Sequence, residues 1–87
     1  MEQAFLSERA AQMAHAKDRL RERFDLLAAD ETLEELTRAA LKGTPVVHLN
    51  NLAKGSIRRI RWFQVHFRGR DMIVCVDDDT EMVRTVL

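Results

Sequence analysis

The chain has little that would cross-link, interrupt or anchor it. Cys75 is its only cysteine. No internal disulfide can form, and no cysteine cluster exists to hold a metal; a reducing cytoplasm fits this usage best. One proline and three glycines are too few interruptions for long disorder. No apolar run approaches the roughly 20 residues of a membrane span. Met1 to Ala14 lacks the charged start and apolar stretch of a signal peptide. Net charge is missing too: 14 Lys and Arg balance 14 Asp and Glu, which by itself argues against a strong nucleic-acid binder.

What is present points to one domain spanning 1–87. A chain of this size buries roughly 60–65% of the surface its unfolded form exposes, enough for one core on one side of a sheet. The charges are segregated. From Lys54 to Arg70 run six cations (Lys54, Arg58, Arg59, Arg61, Arg68 and Arg70) without an acid. Acids gather at Asp30, Glu31, Glu34 and Glu35, and again at Asp77, Asp78, Asp79 and Glu81. This distribution predicts a polarised molecule with one basic surface.

Leu6, Met13, Leu20, Phe24 and Leu27 recur at helical spacing and predict a first helix over about 2–28. Alanine, the best helix former, fills much of the remainder. Thr32 and Glu35 have capping-box spacing, and Gly43 and Pro45 mark a stop, so a second helix is expected over about 32–43. The two helices should form a hairpin. The period then changes. Strands are expected over about 46–52, 57–68, 72–77 and 81–87, joined by short turns at 53–56, 68–71 and 77–80. The parity of apolar residues slips near Ile60, which predicts a bulge or bend there. The expected fold class is α+β: an N-terminal helical hairpin packed on one face of a three- to four-stranded antiparallel sheet.

Two segments could carry chemistry. His15, Arg19 and Arg23 lie four apart and rise along one side of the first helix. Histidine can give or take a proton near neutral pH, and arginine can hold a phosphate through paired hydrogen bonds. The plain alternative is a solvated helix face. In the second segment Arg58, Arg59 and Arg61 interleave with Ile60, Trp62 and Phe63, and His66, Arg68 and Arg70 follow. A ring among guanidinium groups can stack bases and neutralise phosphates. Its plain alternative is a core tryptophan beside charged edge residues that discourage strand addition. His48 and His66 read as surface or structural residues, and Cys75 as an inert core residue. Asp77 to Asp79 read as a hairpin turn. No glycine at the required offset and no distal Glu complete a calcium loop, so no metal and no cofactor is implied.

The run His15-Ala16-Lys17-Asp18-Arg19-Leu20-Arg21-Glu22-Arg23 resembles the His-Ala-x-x-Arg-x-x-Glu-Arg opening motif of a family of small uncharacterised domains. Glu34-Glu35-Leu36 with Ala40-Leu41-Lys42-Gly43, Ile73 to Asp78, and Arg84 to Leu87 are similar to later parts of the same family, so the likeness covers about Ala14 to the C-terminus. That family is similar in fold to the barnase–EndoU–colicin–RelE ribonucleases, which include toxins of toxin–antitoxin pairs. The resemblance implies metal-independent RNA cleavage, with His15 as acid or base, Arg19 as a phosphate ligand and Thr85 supplying a hydroxyl. An arginine of the long strand, Arg59 or Arg61, would complete the site. Arg23, Arg58, Trp62, Arg68 and Arg70 would add nucleic-acid contacts. Thirteen helix-prone residues precede Ala14, where the family begins near its histidine, often after a short strand.

The second reading is a non-catalytic protein-binding module on the same fold, a phage- or plasmid-type regulator or inhibitor. It would set the basic sheet or the acidic patches against an antitoxin-like or host protein. The alanine-rich first helix would then be a surface for pairing with another chain, including a second copy.

Overall fold

The structure, a computed structural model, describes residues 2–55 and 59–87, with side chains from residue 8 onward. The elements are α1 (Glu2–Phe24), α2 (Asp30–Leu41), β1 (Thr44–Pro45), α3 (Val47–Ala53), β2 (Ile60–Phe67), β3 (Arg70–Asp77) and β4 (Met82–Val86). The strands form one antiparallel sheet in the order β1-β2-β3-β4. The α+β class, with two helices ahead of the sheet, is as the periodicities predict. No described helix is long and apolar enough to cross a membrane.

Alternation along the strands decides which face is covered. Phe63, Val65 and Phe67 of β2 and Met72, Val74 and Val76 of β3 point to the helices and are buried. Val83 and Val86 join them from β4. Leu33, Leu36 and Ala40 of α2 and Ala16 and Leu20 of α1 close the core from the other side. α2 lies across β2, β3 and β4, whereas α1 lies along β4 and beside α2. Leu27, expected to continue the first apolar stripe, is 79% exposed. The helix has already ended at Phe24, because Asp25 takes a left-handed backbone (φ 52°). The Asp25 N–H donates to the Arg21 carbonyl, and Leu26 N–H to that of Leu20, so Leu26 enters the core in place of Leu27.

The expected strand over 46–52 does not form. Only Thr44 and Pro45 pair with β2, opposite Gln64 and Phe63, and Val47–Ala53 is a short helix. The reason lies at Asn50. Its carboxamide accepts from the Trp62 N–H (2.7 Å) and donates to the Trp62 carbonyl (3.2 Å). Val46 N–H reaches the same carbonyl at 3.0 Å. One side chain thus satisfies the β2 backbone groups that a longer β1 would have paired, and the β-branched residues Val46 and Val47 that suggested a strand are overruled. Gly43 is needed where the chain enters β1: a Cβ there would lie 2.6 Å from the Gln64 carbonyl oxygen.

The turn between β2 and β3 is the two residues Arg68 and Gly69, both with positive φ (50° and 78°). That pattern matches the right-handed twist of a hairpin. The bulge expected near Ile60 involves Ile57, which lies outside the described residues. A bulge does occur elsewhere: Cys75 pairs with Thr85 and Val76 with Val83, leaving Arg84 as the extra residue of β4.

A buried hydroxyl fastens α2 to this bulged strand. Thr37, 5% exposed, donates to the Leu33 carbonyl (2.7 Å) and accepts from Val83 N–H (3.1 Å). Thr37→Val keeps the shape but leaves the Val83 N–H without its partner. Urea denaturation should show a loss of about 1–3 kcal/mol; an unchanged midpoint would mean that the bond contributes nothing.

Candidate functional site

The strongest cleft for chemistry lies where α1 meets β4. Glu8, Ala11, Gln12 and His15 of α1 face Arg84 and Thr85 of β4 across a space of about 380 Å³. On α1 these residues follow the i, i+3/i+4, i+7 spacing of one helix face, next to the face that buries Ala16 and Leu20. Burial of that neighbouring stripe fixes the rotation of the helix, so His15 is presented at the rim. Ala11, with a single methyl, leaves room between Glu8 and His15.

The β4 side of the cleft is set by the bulge. In regular alternation Arg84 and Thr85 would point to opposite faces. With one residue extra, both line the same cleft. Asp77 then fixes the geometry. Its carboxylate accepts from the backbone N–H of Asp79 (2.8 Å) and Thr80 (3.4 Å) through one oxygen. Through the other it accepts from the Gln12 amide (3.2 Å) and lies 3.5 Å from an Arg84 nitrogen. The residue is 8% exposed, so these bonds work in a poorly screened environment. Arg9 adds a second tie from α1, donating to the Thr80 carbonyl at 3.2 Å.

His15 and Thr85, separate in the sequence, therefore share one cleft. Arg19 does not line it: its guanidinium lies 3.6 Å from Glu22 on the same helix. Arg23 is exposed further along α1. Glu8, Gln12 and Arg84 were missed by sequence reasoning. Glu8 and His15 share a helix face seven residues apart, which was a usable signal. The placing of Arg84 depends on a bulge that no residue pattern announces.

The arginines of the long strand stand elsewhere. Arg61 is bound by Asp78 (2.7 and 2.9 Å) and lies over the Phe63 ring. Arg68 leaves the open face, pairs with Glu35 of α2 at 2.9 Å and covers Phe67. Arg70 donates to the Phe24 carbonyl at the end of α1 (2.8 Å) and to the Arg68 carbonyl, a favourable place for a cation at a helix C-terminus. The two acidic clusters thus supply partners to the basic segment, and the single basic surface expected from the charge run is broken up. Trp62 is half-buried and His66 exposed, both on the sheet face away from the helices; His66 pairs with Asp71 at 2.7 Å. Arg59 is exposed, and Arg58 lies outside the described residues.

Among the described residues no group of three or more His, Cys, Asp or Glu side chains is arranged to hold a metal ion. Cys75 is the cross-strand neighbour of Thr85 and is 1% exposed. Burial pushes its thiol up to about 12; Arg84 opposes this, and Asp77 and Asp78 add to it. It is a packed neutral group, not a nucleophile.

These features define an α+β domain with a polar cleft at one edge of its sheet. No protein-family model, curated protein or solved structure matches the chain.

The thiol gives a direct check on this packing. Iodoacetamide should label Cys75 only after denaturation. Because the folded thiol ionises at about 12 against an ordinary 9.0, its contribution is fully present below pH 9.0 and is lost as pH rises towards 12. The stability difference between wild type and Cys75→Ala should shift against the wild type across that window in urea titrations. A constant difference would mean that the thiol is not desolvated.

Proposed function

We propose that the chain is an RNA-acting domain of the cytoplasm, a metal-independent endoribonuclease of toxin type. The observation that carries this reading is the convergence of His15, Arg84 and Thr85, with Glu8, on one open cleft. Cleavage of RNA without a metal needs three things. A base must take the proton of a ribose 2′-OH, a cation must hold the phosphate as charge builds, and an acid must protonate the departing 5′-oxygen. The 2′-oxygen bonds to phosphorus, the bond from phosphorus to the 5′-oxygen breaks, and a 2′,3′-cyclic phosphate remains. No redox partner or cofactor enters the balance.

The cleft holds a residue suited to each part. His15 and Glu8 stand two turns apart on one helix face, about 10 Å along the axis, and can address the two ends of the reacting phosphate. Arg84 is the phosphate ligand, a role that the likeness to the ribonuclease group gave to Arg19. Asp77 keeps its guanidinium oriented, and the Thr85 hydroxyl donates beside it. Arg19 and Arg23 lie further along α1, where a bound strand can meet them as simple cations.

Purified protein should cleave single-stranded RNA in the presence of EDTA and leave 2′,3′-cyclic phosphate ends. His15→Ala should lower the rate by about 10²–10⁴-fold, and Arg84→Ala by about 10²–10³-fold. Expression should arrest growth, and His15→Ala should relieve the arrest. A wild type that cleaves no RNA, or a His15→Ala variant with full activity, would leave the protein-binding module as the reading to pursue.

A further inference from the structure

We infer that a second cleft, on the opposite edge of the sheet, is a distal phosphate subsite for single-stranded RNA whose scissile phosphate lies at His15. The inference rests on the cleavage reading only for which phosphate reacts; the binding it describes stands by itself. Asn50, Ala53, Lys54, Arg59, Ile60 and Arg61 enclose about 350 Å³ between the end of α3 and the start of β2.

Three observations favour a phosphate here. The first is charge. Lys54, Arg59 and Arg61 all line the cleft, and the one acid in contact with them, Asp78, is taken by Arg61. Among the described residues neither Lys54 nor Arg59 has a carboxylate within ion-pair distance. Arg68 and Arg70, by contrast, are held by Glu35 and by backbone carbonyls. The cleft therefore keeps an excess of about two positive charges on a chain with no net charge.

The second observation is rigidity. The Arg59 carbonyl accepts from Asp78 N–H at 2.8 Å, Arg61 is clamped by Asp78, and Asn50 binds both backbone groups of Trp62. These bonds hold the start of β2 and its Arg59 and Arg61 in place, which lowers the ordering cost of binding on that side of the cleft.

The third is the path between the clefts. Ile60 and Trp62 share the sheet face away from the helices, and on that face Trp62 is opposite Cys75, which is opposite Thr85. From Trp62, which follows Arg61 of the cationic cleft, this row crosses two interstrand spacings, roughly 10 Å, to Thr85 of the His15 cleft. A half-buried tryptophan on the way offers a stacking surface for a base. A strand laid along it would place one phosphate between Lys54 and Arg59 and another at Arg84. A dinucleoside monophosphate has a single phosphate and can occupy only one of the two clefts.

The test separates binding from cleavage. Anisotropy titrations would use a 2′-O-methyl oligonucleotide, which cannot be cleaved. The wild type should bind it, and Lys54→Gln/Arg59→Gln should weaken binding roughly tenfold with a salt slope shallower by about 0.7, the value for one lost phosphate contact on a single strand. Lys54→Glu/Arg59→Glu should weaken it further. Arg21→Gln/Lys42→Gln, an equal charge loss at exposed positions elsewhere, should bind like the wild type. Thermal melts of each variant check folding. In cleavage assays the Gln pair should lose activity on the long substrate and keep it on the dinucleoside monophosphate.

The inference is overturned if the wild type does not bind the oligonucleotide, or if the Gln pair binds it unchanged. It is also overturned if the Arg21/Lys42 control falls equally, if polyglutamate of matched charge binds as tightly, or if dinucleotide cleavage falls as far as that of the long substrate. Binding lost with the Gln pair in a protein that cleaves nothing would uphold the subsite and reject the nuclease.

Discussion

The buried carboxylate of Asp77 is the contact on which the rest of the molecule depends. It closes the β3–β4 turn through two backbone N–H groups, holds α1 through Gln12 and steadies Arg84 on the bulged strand. Hydrogen bonds to a charged acceptor contribute about 1.5–3 kcal/mol each, and here they join three elements that hydrophobic contact alone would leave free to slide. An apolar residue at this place would still allow a core. It would not set the angle of α1 against β4 or the direction of the Arg84 side chain, and it would leave the turn's N–H groups unsatisfied.

Packing supplies the complementary constraint. Ala16 and Leu20 sink between α2 and β4, which fixes the rotation of α1 and with it the rim that carries Glu8, Gln12 and His15. Thr37 fixes α2 to the same strand from the other side. β4 is thus held by two helices and one neighbouring strand, although it is a sheet edge. A strand so enclosed can support a bulge, whose local loss of pairing would otherwise weaken an edge. The irregularity that brings Arg84 and Thr85 to one cleft is stable because of this enclosure.

Much of the fold was legible in the sequence because it rests on periodicity. The stripe through Met13, Leu20 and Phe24, the alternation of Phe63, Val65 and Phe67, and the turn at Arg68–Gly69 each have one reading. What failed were places where a side chain replaces backbone pairing. Val46 to Leu52 reads as a strand by residue type, and only the Asn50–Trp62 contact, which is long-range, makes it a helix. The candidate cleft was legible only in part: His15 and Thr85 line it, whereas Arg84 joins them through a strand bulge, which a string of letters does not show as it shows helical spacing. The charge run from Lys54 to Arg70 was seen correctly as a run. Its partners Glu35 and Asp78 were counted as separate acidic patches because their pairing exists only after folding.

The enclosure of β4 has a consequence for the order of assembly. α1 and β4 lie far apart in the sequence, so the wall of the His15 cleft is synthesised well before its floor. Pairing of such distant segments raises contact order and places their docking late in folding. On the ribosome α1 is solvent-exposed while the sheet is still being translated, and the cleft has no floor until Thr85 has emerged. Whatever chemistry the cleft performs is therefore absent from nascent chains and from fragments shortened before β4.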